Sequence, residues 1–458
     1  MTILEMMNKR SKAWTAAKNF AESHKNEQGV LSDEDYATYQ GMEKEIENMS
    51  REISRMQREA AMEDELNKPV NTPITAKPMN GGKEKEEKKA AKEDKKIAKE
   101  EKKSSSELKD SSIVALIISI LFFITVVGYS IVAFGHIPFI EKWRNIWIET
   151  AMTTDQHKWL AQSFFPEWLI DDVMSRQVDI KDMGITEIDP NKDLFGGIID
   201  PTELVVGEPD SKGNIVYANN IEEGIVILNV EDTNFKGKLI IIDDPSRVFL
   251  GVTDYKGSRG EFICDYLEKE NAVVGVNASG FIDTGGVSLG GQISGMCVSQ
   301  GEYWGSYKSK YTLLGFDKDD RMIVGGTGDW EQYNIRDGMQ FRPTLILNGE
   351  KVVEDSAGWG LQPRTVVGQC KNGVVLLLVI DGRQVGYSIG ATMEDCADIL
   401  LQYGAVTAGA CDGGSSSVIG YDGEVINKPC ARDMPTGRYL PNAWLVARKD
   451  KDTKEDKK

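Results

Sequence analysis

The stretch SSIVALIISILFFITVVGYSIVAF, residues 111–134, carries no charged side chain. About 20 apolar residues suffice to cross the hydrocarbon of a bilayer as a helix. A buried core helix is the weaker reading for a run this long and uniformly apolar. A start beyond residue 100 does not suit a cleaved signal peptide. The span therefore divides the chain into two parts that must fold apart from each other. Its 83–109 flank holds 11 lysines, whereas Lys142 and Arg144 are the nearby basic residues on the other side. Basic residues stay on the cytoplasmic side. The expected arrangement is a single-pass membrane protein with a cytoplasmic N-terminus and an extracellular C-terminal domain. Trp143 and Trp147 fall where an interfacial aromatic belt would lie.

Charge differs between the two parts. Residues 1–110 carry 22 Lys and Arg against 23 Asp and Glu; the remainder carries 32 against 49. The net charge of −18 thus belongs almost wholly to the outer part. An acidic surface repels a phosphate backbone, so nucleic acid is not an expected partner. In the inner part, Tyr39, Met42, Ile46, Met49, Ile53, Met56 and Ala60 alternate spacings of three and four. That pattern suits a short coiled coil, with self-association through 39–60, and equally a solvated amphipathic helix. Residues 79–110 are a mixed-charge linker whose composition cannot bury a core.

Behind the span, 135–194 reads mostly as a helical, aromatic-rich, membrane-proximal stalk. From about residue 225 the pattern changes to short β-rich runs such as GIVILNV, GKLIIIDD, AVVGVNASGF and GVVLLLVIDG, each ended by Gly, Asn or Asp. SRGEFICDYLEKEN and TMEDCADILLQYG are the clear helices. The expected fold class is α+β on mixed or antiparallel sheet. The chain divides at 1–78 (helical), 79–110 (linker), 111–134 (span), 135–194 (stalk), 195–449 (large domain) and 450–458 (charged tail).

His24, His136 and His157 are the three histidines. The large domain therefore has neither a Ser-His-Asp triad nor a His-rich metal site. The six cysteines show no C-x-x-C spacing, so structural zinc is not expected; disulfide pairing stays open. No cofactor is expected. The acidic tips leave a divalent cation open, although no loop has EF-hand spacing.

Functional groups collect at polar strand ends. The tips are VNASGFID, QPRTVVGQ, VIDGRQVGYSIGAT, ACDGGSSSV and RYLPNAWLV. Their polar members are Asn277, Arg364, Asp381, Arg383, Asp412, Ser415, Ser416, Arg438 and Asn442. Any one alone reads as a turn, cap or ion-pair residue; five such tips in one domain point to a site. In ACDGGSSSVIGYDGEVIN, residues 416–419 and 424–426 are expected to pair around the Tyr421-Asp422-Gly423 turn. Asp422 then serves the turn, and Asp412 stands before a Gly-Gly opening.

Taken in this order, VNASGF, PRTVVG, DGR…GYSIGATMEDCADILLQYGA, CDGGSSSVIGYDGEVIN and RYLPNAWLV resemble the phosphodiester glycosidase family over about 225–449. The membrane helix and the segment after it extend the resemblance to 112–449. Cys411 stands where leucine is usual, and Ser415 where a third glycine is frequent. Residues 1–78 separately resemble the N-terminal delta region of tailed-phage major capsid proteins. The first resemblance implies hydrolysis of a sugar C1–O–phosphate diester, with a carbohydrate phosphodiester as substrate. Glycosidases ordinarily use two carboxylates. A phosphomonoester has a second pKa of about 6 and leaves with little protonation, so water activation and cation stabilisation matter more than a general acid. Asp412 is the expected carboxylate at the reacting carbon, followed by Asp381, with Asn277 beside them. Arg364 suits the phosphate through its planar fork, ahead of Arg383 and Arg438. Thr365, Gly413, Gly414, Ser415, Ser416 and Asn442 complete the expected binding set. The competing readings are a noncatalytic surface glycan-binding protein and a phage structural or assembly component.

Overall fold

The computed structural model describes residues 116–449, except 155–156, 178–181, 189–197, 284–287, 327–329 and 432–433, together with scattered positions between 9 and 52. The chain forms two units, Met1–Glu107 and Leu108–Lys458. In the first, Met42 and Met49 of the expected seam are helical and Met49 is buried. The other seam members, the charged linker, residues 111–115 of the span and the charged tail lie outside the described residues.

The second unit opens with the helix Leu116–Phe134, long and apolar enough to cross a membrane, with nearly all its side chains exposed. Three helices follow, Pro138–Met152, Trp159–Gln162 and Glu167–Met174. They close a small core around Ile148, Ala161, Phe165, Leu169 and Val173. This segment is no free stalk, because the first helix docks on the large domain. The Thr150 hydroxyl accepts from the backbone N–H of Leu361 at 2.9 Å, and Gln177 donates to the carbonyl of Gly358 at 3.0 Å. Lys142 pairs with Asp355, and Ser356 donates to the buried Glu149, whose carboxyl burial holds above its usual range.

The large domain is antiparallel throughout its described ladders. An eight-stranded sheet runs Glu350–Lys351, Thr344–Leu347, Ala405–Ala410, Arg364–Cys370, Val375–Ile380, Lys236–Ile242, Ile225–Glu231, Ile215–Asn220 in space. A five-stranded sheet runs Glu424–Val425, Ile419–Tyr421, Ala272–Asn277, Asn442–Ala447, Val248–Val252. A six-stranded sheet, with Thr312–Asp317 and Ile335–Phe341 at its centre, adds Leu314, Phe316 and Met339 to the shared core.

The continuous apolar runs are explained by burial on both faces. Side chains alternate across a strand. Leu376, Leu378 and Ile380 pack with Cys396, Ala397 and Leu400 of the helix Met393–Gln402. Val375, Leu377 and Val379 face the five-stranded sheet through Val274, Val276 and Trp444. The outer face of that sheet is covered in turn by the helix Ile263–Lys269 through Ile263, Tyr266 and Leu267. Helix, sheet, sheet and helix thus stack as layers. Thr392 caps the Met393–Gln402 helix with a reciprocal box to Asp395.

The hairpin near the end is present, but its first strand starts at Ile419; Ser416 belongs to the 3-10 turn Gly414–Ser416. Asp422 and Gly423 both have positive φ, 51° and 85°, as the tight two-residue turn requires. All six cysteines are free thiols: Cys297, Cys370, Cys396 and Cys411 are buried, and Cys264 and Cys430 are half-buried. Without denaturant, a thiol reagent should therefore label Cys264 and Cys430 and leave the other four. All six should react on unfolding without a reductant. Mass spectrometry showing a disulfide in the folded protein would contradict this.

Candidate active site

Antiparallel register brings the expected tips to one edge. Arg364 begins its strand opposite Ile380, the end of the neighbouring strand, and Val366 lies opposite Ala410, the end of the other neighbour. In the second sheet, Asn277 ends its strand opposite Ala443, one residue into the final strand. The two edges are stitched together by Asn277. Its Nδ2 donates to the Asp412 carbonyl at 2.7 Å, and its Oδ1 accepts from the Thr365 hydroxyl at 2.6 Å and the Val418 N–H at 3.2 Å. Asn277 is fully buried with both ends of its amide engaged, so it positions the site. Asn442 does the same for the next loop: its Oδ1 accepts from the Ser279 N–H and its Nδ2 donates to the Ser279 hydroxyl, both at 2.9 Å.

Asp412 leaves the end of Ala405–Ala410 with its N–H donating to the Ala278 carbonyl at 2.8 Å. The two glycines after it have separate reasons. A Cβ at Gly413 would stand 2.7 Å from the Pro363 carbonyl oxygen. Gly414 has φ +62°, and a Cβ there would meet Nη2 of Arg383 at 2.9 Å. Asp412 is half-buried. Burial pushes its carboxyl up to about 6; the Ser416 hydroxyl, Arg438, the Gly413 N–H and Arg383 pull the other way. Its carboxylate oxygen lies 3.8 Å from the space a Cβ would take at Gly280, beside Phe341.

Two guanidinium groups are near enough to favour its charged form. Arg438 donates to the Ser415 hydroxyl at 3.0 Å and to Asp283 at 2.6 Å, and stands 4.8 Å over the Phe281 ring. Arg383 is exposed, lies against Gly414, and donates from Nε to Gln362 at 2.7 Å. The Ser415 hydroxyl thus supplies an acceptor for Arg438. Cys411 fills the core beside Trp444, where burial raises its thiol well above the usual range.

Arg364 and Asp381 stand elsewhere. Arg364 donates from Nε to the Ala391 carbonyl at 3.1 Å, and from Nη2 to Trp359 and Gly360 at 3.0 and 2.6 Å. It is buried, and desolvation lowers its guanidinium to about 10. Its fork clamps a backbone loop and does not project toward Asp412. Asp381 accepts from Asn427, Tyr387 and the Lys428 N–H, and burial raises its carboxyl. It borders a separate polar cavity of about 220 Å³ with Lys238 and Tyr387; Asp412 does not line that cavity. The Asp381 carboxylate is thus occupied by neutral donors from two turns. Among the described residues no three His, Cys, Asp or Glu side chains gather as a metal site.

Residues 270–447 match the phosphodiester glycosidase family. The SPbeta prophage-derived uncharacterized protein YomE of Bacillus subtilis is 26% identical over 193 residues, 40% of this chain. The match spans 29% of that relative's length. Among solved structures, the zebrafish N-acetylglucosamine-1-phosphodiester alpha-N-acetylglucosaminidase catalytic domain, auto-inhibited by its pro-peptide, is 18% identical, with a TM-score of 0.40 over 54% of this chain and 87% of that one. A hypothetical protein from Synechocystis is 16% identical, with a TM-score of 0.39 over 52% of this chain and 65% of the other.

Asp283 and Gln362 stand in the quoted tips without having been singled out there. Asp283 is visible only as an acid in a Gly-flanked loop, and Gln362 as the residue before Pro-Arg; neither partner is near in sequence. For Asp412 the folded pKa lies above that of the unfolded carboxyl. Its contribution is therefore most favourable below the unfolded pKa and is lost as pH rises toward 6. Asp412→Asn should raise the melting temperature at pH 7.5, by an amount on the order of 2 kcal/mol in stability. The gain should close toward pH 4. An unchanged or lower melting temperature at pH 7.5 would show that the carboxylate is not strained there. Asn277→Ala removes three buried hydrogen bonds and should cost about 2–4 kcal/mol in denaturant unfolding.

Proposed function

We propose that this chain is a membrane-anchored, exported hydrolase that cleaves the glycosidic C–O bond of a sugar-1-phosphodiester in cell-surface or exopolysaccharide glycans. The observation that carries the reading is one carboxylate, Asp412, that burial pushes up while Arg438 and Arg383 favour its charged form. Asp412 takes a proton from water, which attacks the anomeric carbon. The bond from that carbon to the phosphate oxygen breaks, and its electron pair leaves on the phosphomonoester. Arg383 and Arg438 balance the charge that develops on the leaving phosphate. The leaving group needs little protonation, so a single carboxylate suffices where most glycosidases use two.

The lysine-rich flank before the apolar helix supports a cytoplasmic N-terminus, with the domain outside. Exposed Trp143, Trp147, Trp159 and Trp168, close behind the helix, suit an interfacial belt. Self-association through 39–60 remains part of the proposal for the inner segment.

Because the ionised form acts, kcat/KM should rise with pH and level off above about 6. A profile falling above that pH would assign Asp412 the role of acid. Asp412→Asn should lose about 10²–10⁴-fold in kcat while staying folded. Phosphate-linked sugar release by this variant at the wild-type rate would refute the assignment. Binding of anionic glycan with no release by the wild type would favour a noncatalytic binder.

A further inference from the structure

Three stripes run along Pro138–Met152 and just past its end. Arg144, Ile148 and Ala151 face the small helical core. Phe139, Trp143 and Trp147 are exposed. Lys142, Glu149 and, after the last turn, Thr153 meet the loop that precedes Arg364. That loop ends at Gln362, which is 3% exposed. Nε2 of Gln362 donates to the Thr150 carbonyl at 2.9 Å and to the Thr153 hydroxyl at 3.0 Å. Its Oε1 accepts from Nε of Arg383 at 2.7 Å. One planar amide therefore touches the membrane-proximal helix with one end and a site arginine with the other.

We propose that Gln362 is a positioning residue through which the Pro138–Met152 helix fixes Arg383 at the Asp412 loop. The helical segment is then a working part of the site, and the outer domain is not a self-sufficient module on a tether. Arg383 itself is exposed and sits at φ +59°, in a loop whose neighbour Val385 is 99% exposed. Its guanidinium also lies against Gly414 and near Cys430. The Gln362 bond adds to these a fixed position for Nε before an anion arrives, and such pre-organisation strengthens binding. The helix starts four residues after Phe134, so the placement of the apolar helix bears on the same contact. The backbone of Gln362 is held independently, through paired bonds with Ala391 at 3.2 and 3.0 Å. Truncating its side chain should therefore leave the loop in place.

The role given to Arg383 rests on the phosphodiester reading, and the test separates the two. The probe is N-acetylglucosamine 1-phosphate, titrated calorimetrically into the full chain in detergent, beside turnover of a sugar phosphodiester. Gln362→Ala should bind the probe about tenfold more weakly and raise KM by a similar factor, with kcat within about twofold. In an Arg383→Ala background the same change should have no further effect. Thr153→Val, which removes only a helix-side partner, should weaken binding in the same direction. Lys142→Ala, on the same interface but away from Gln362, should bind as the wild type does. Wild-type affinity in Gln362→Ala, or a loss that adds to that of Arg383→Ala, overturns the inference. If Gln362→Ala fails to fold, wild-type affinity in Thr153→Val overturns it instead. A wild type that binds the probe but cuts no diester refutes the hydrolase reading and leaves the binding arm to decide the role of Gln362. A wild type that neither binds the probe nor cuts the diester overturns both.

Discussion

Asn277 ties the two sheets at their common edge. There the Asp412 N–H donates to the Ala278 carbonyl, and the buried Asn277 amide adds side-chain bonds across the same seam. The buried amide bonds to Thr365 in one sheet, Val418 beside the other, and the Asp412 carbonyl between them. A buried amide left half-satisfied costs free energy comparable to the bonds it lacks. Only the arrangement with all three partners present is favourable, and it fixes where the Asp412 loop starts. Gly413 and Gly414 then let the chain pass under the Pro363 carbonyl and against the Arg383 guanidinium.

Given that frame, the electrostatics at Asp412 follow. The carboxylate is withdrawn from water by the loop around it, which raises its pKa to about 6. Arg438 and Arg383 face it from different loops, and each is held by a neutral or acidic partner of its own. The result is a carboxylate whose charged form burial disfavours and two arginines favour.

Much of this was legible in the chain. The β-rich domain followed from short apolar runs with polar ends, and two of its helices from TMEDCADILLQYG and SRGEFICDYLEKEN. Arg364 shows where such reading stops. A guanidinium next to a strand start looks the same in sequence whether it meets a phosphate or the carbonyls of Trp359, Gly360 and Ala391. Only the path of the 355–362 loop settles which. The surroundings of Asp381 are hidden in the same way, because Asn427, Tyr387 and Lys428 reach it from different turns.

The sequence by itself determined the apolar helix, the β-rich character of the large domain and the glycines behind Asp412, because each depends on local periodicity or on the space around a single residue. Tertiary structure decided that the ladders are antiparallel, which partners Arg364 and Arg383 meet, which asparagines are structural ties, and that the helix Pro138–Met152 docks on the loop ending at Gln362. Gln362 meets Arg383 and Thr150 from 21 and 212 residues away in the chain, and spacing along a strand carries no record of such partners.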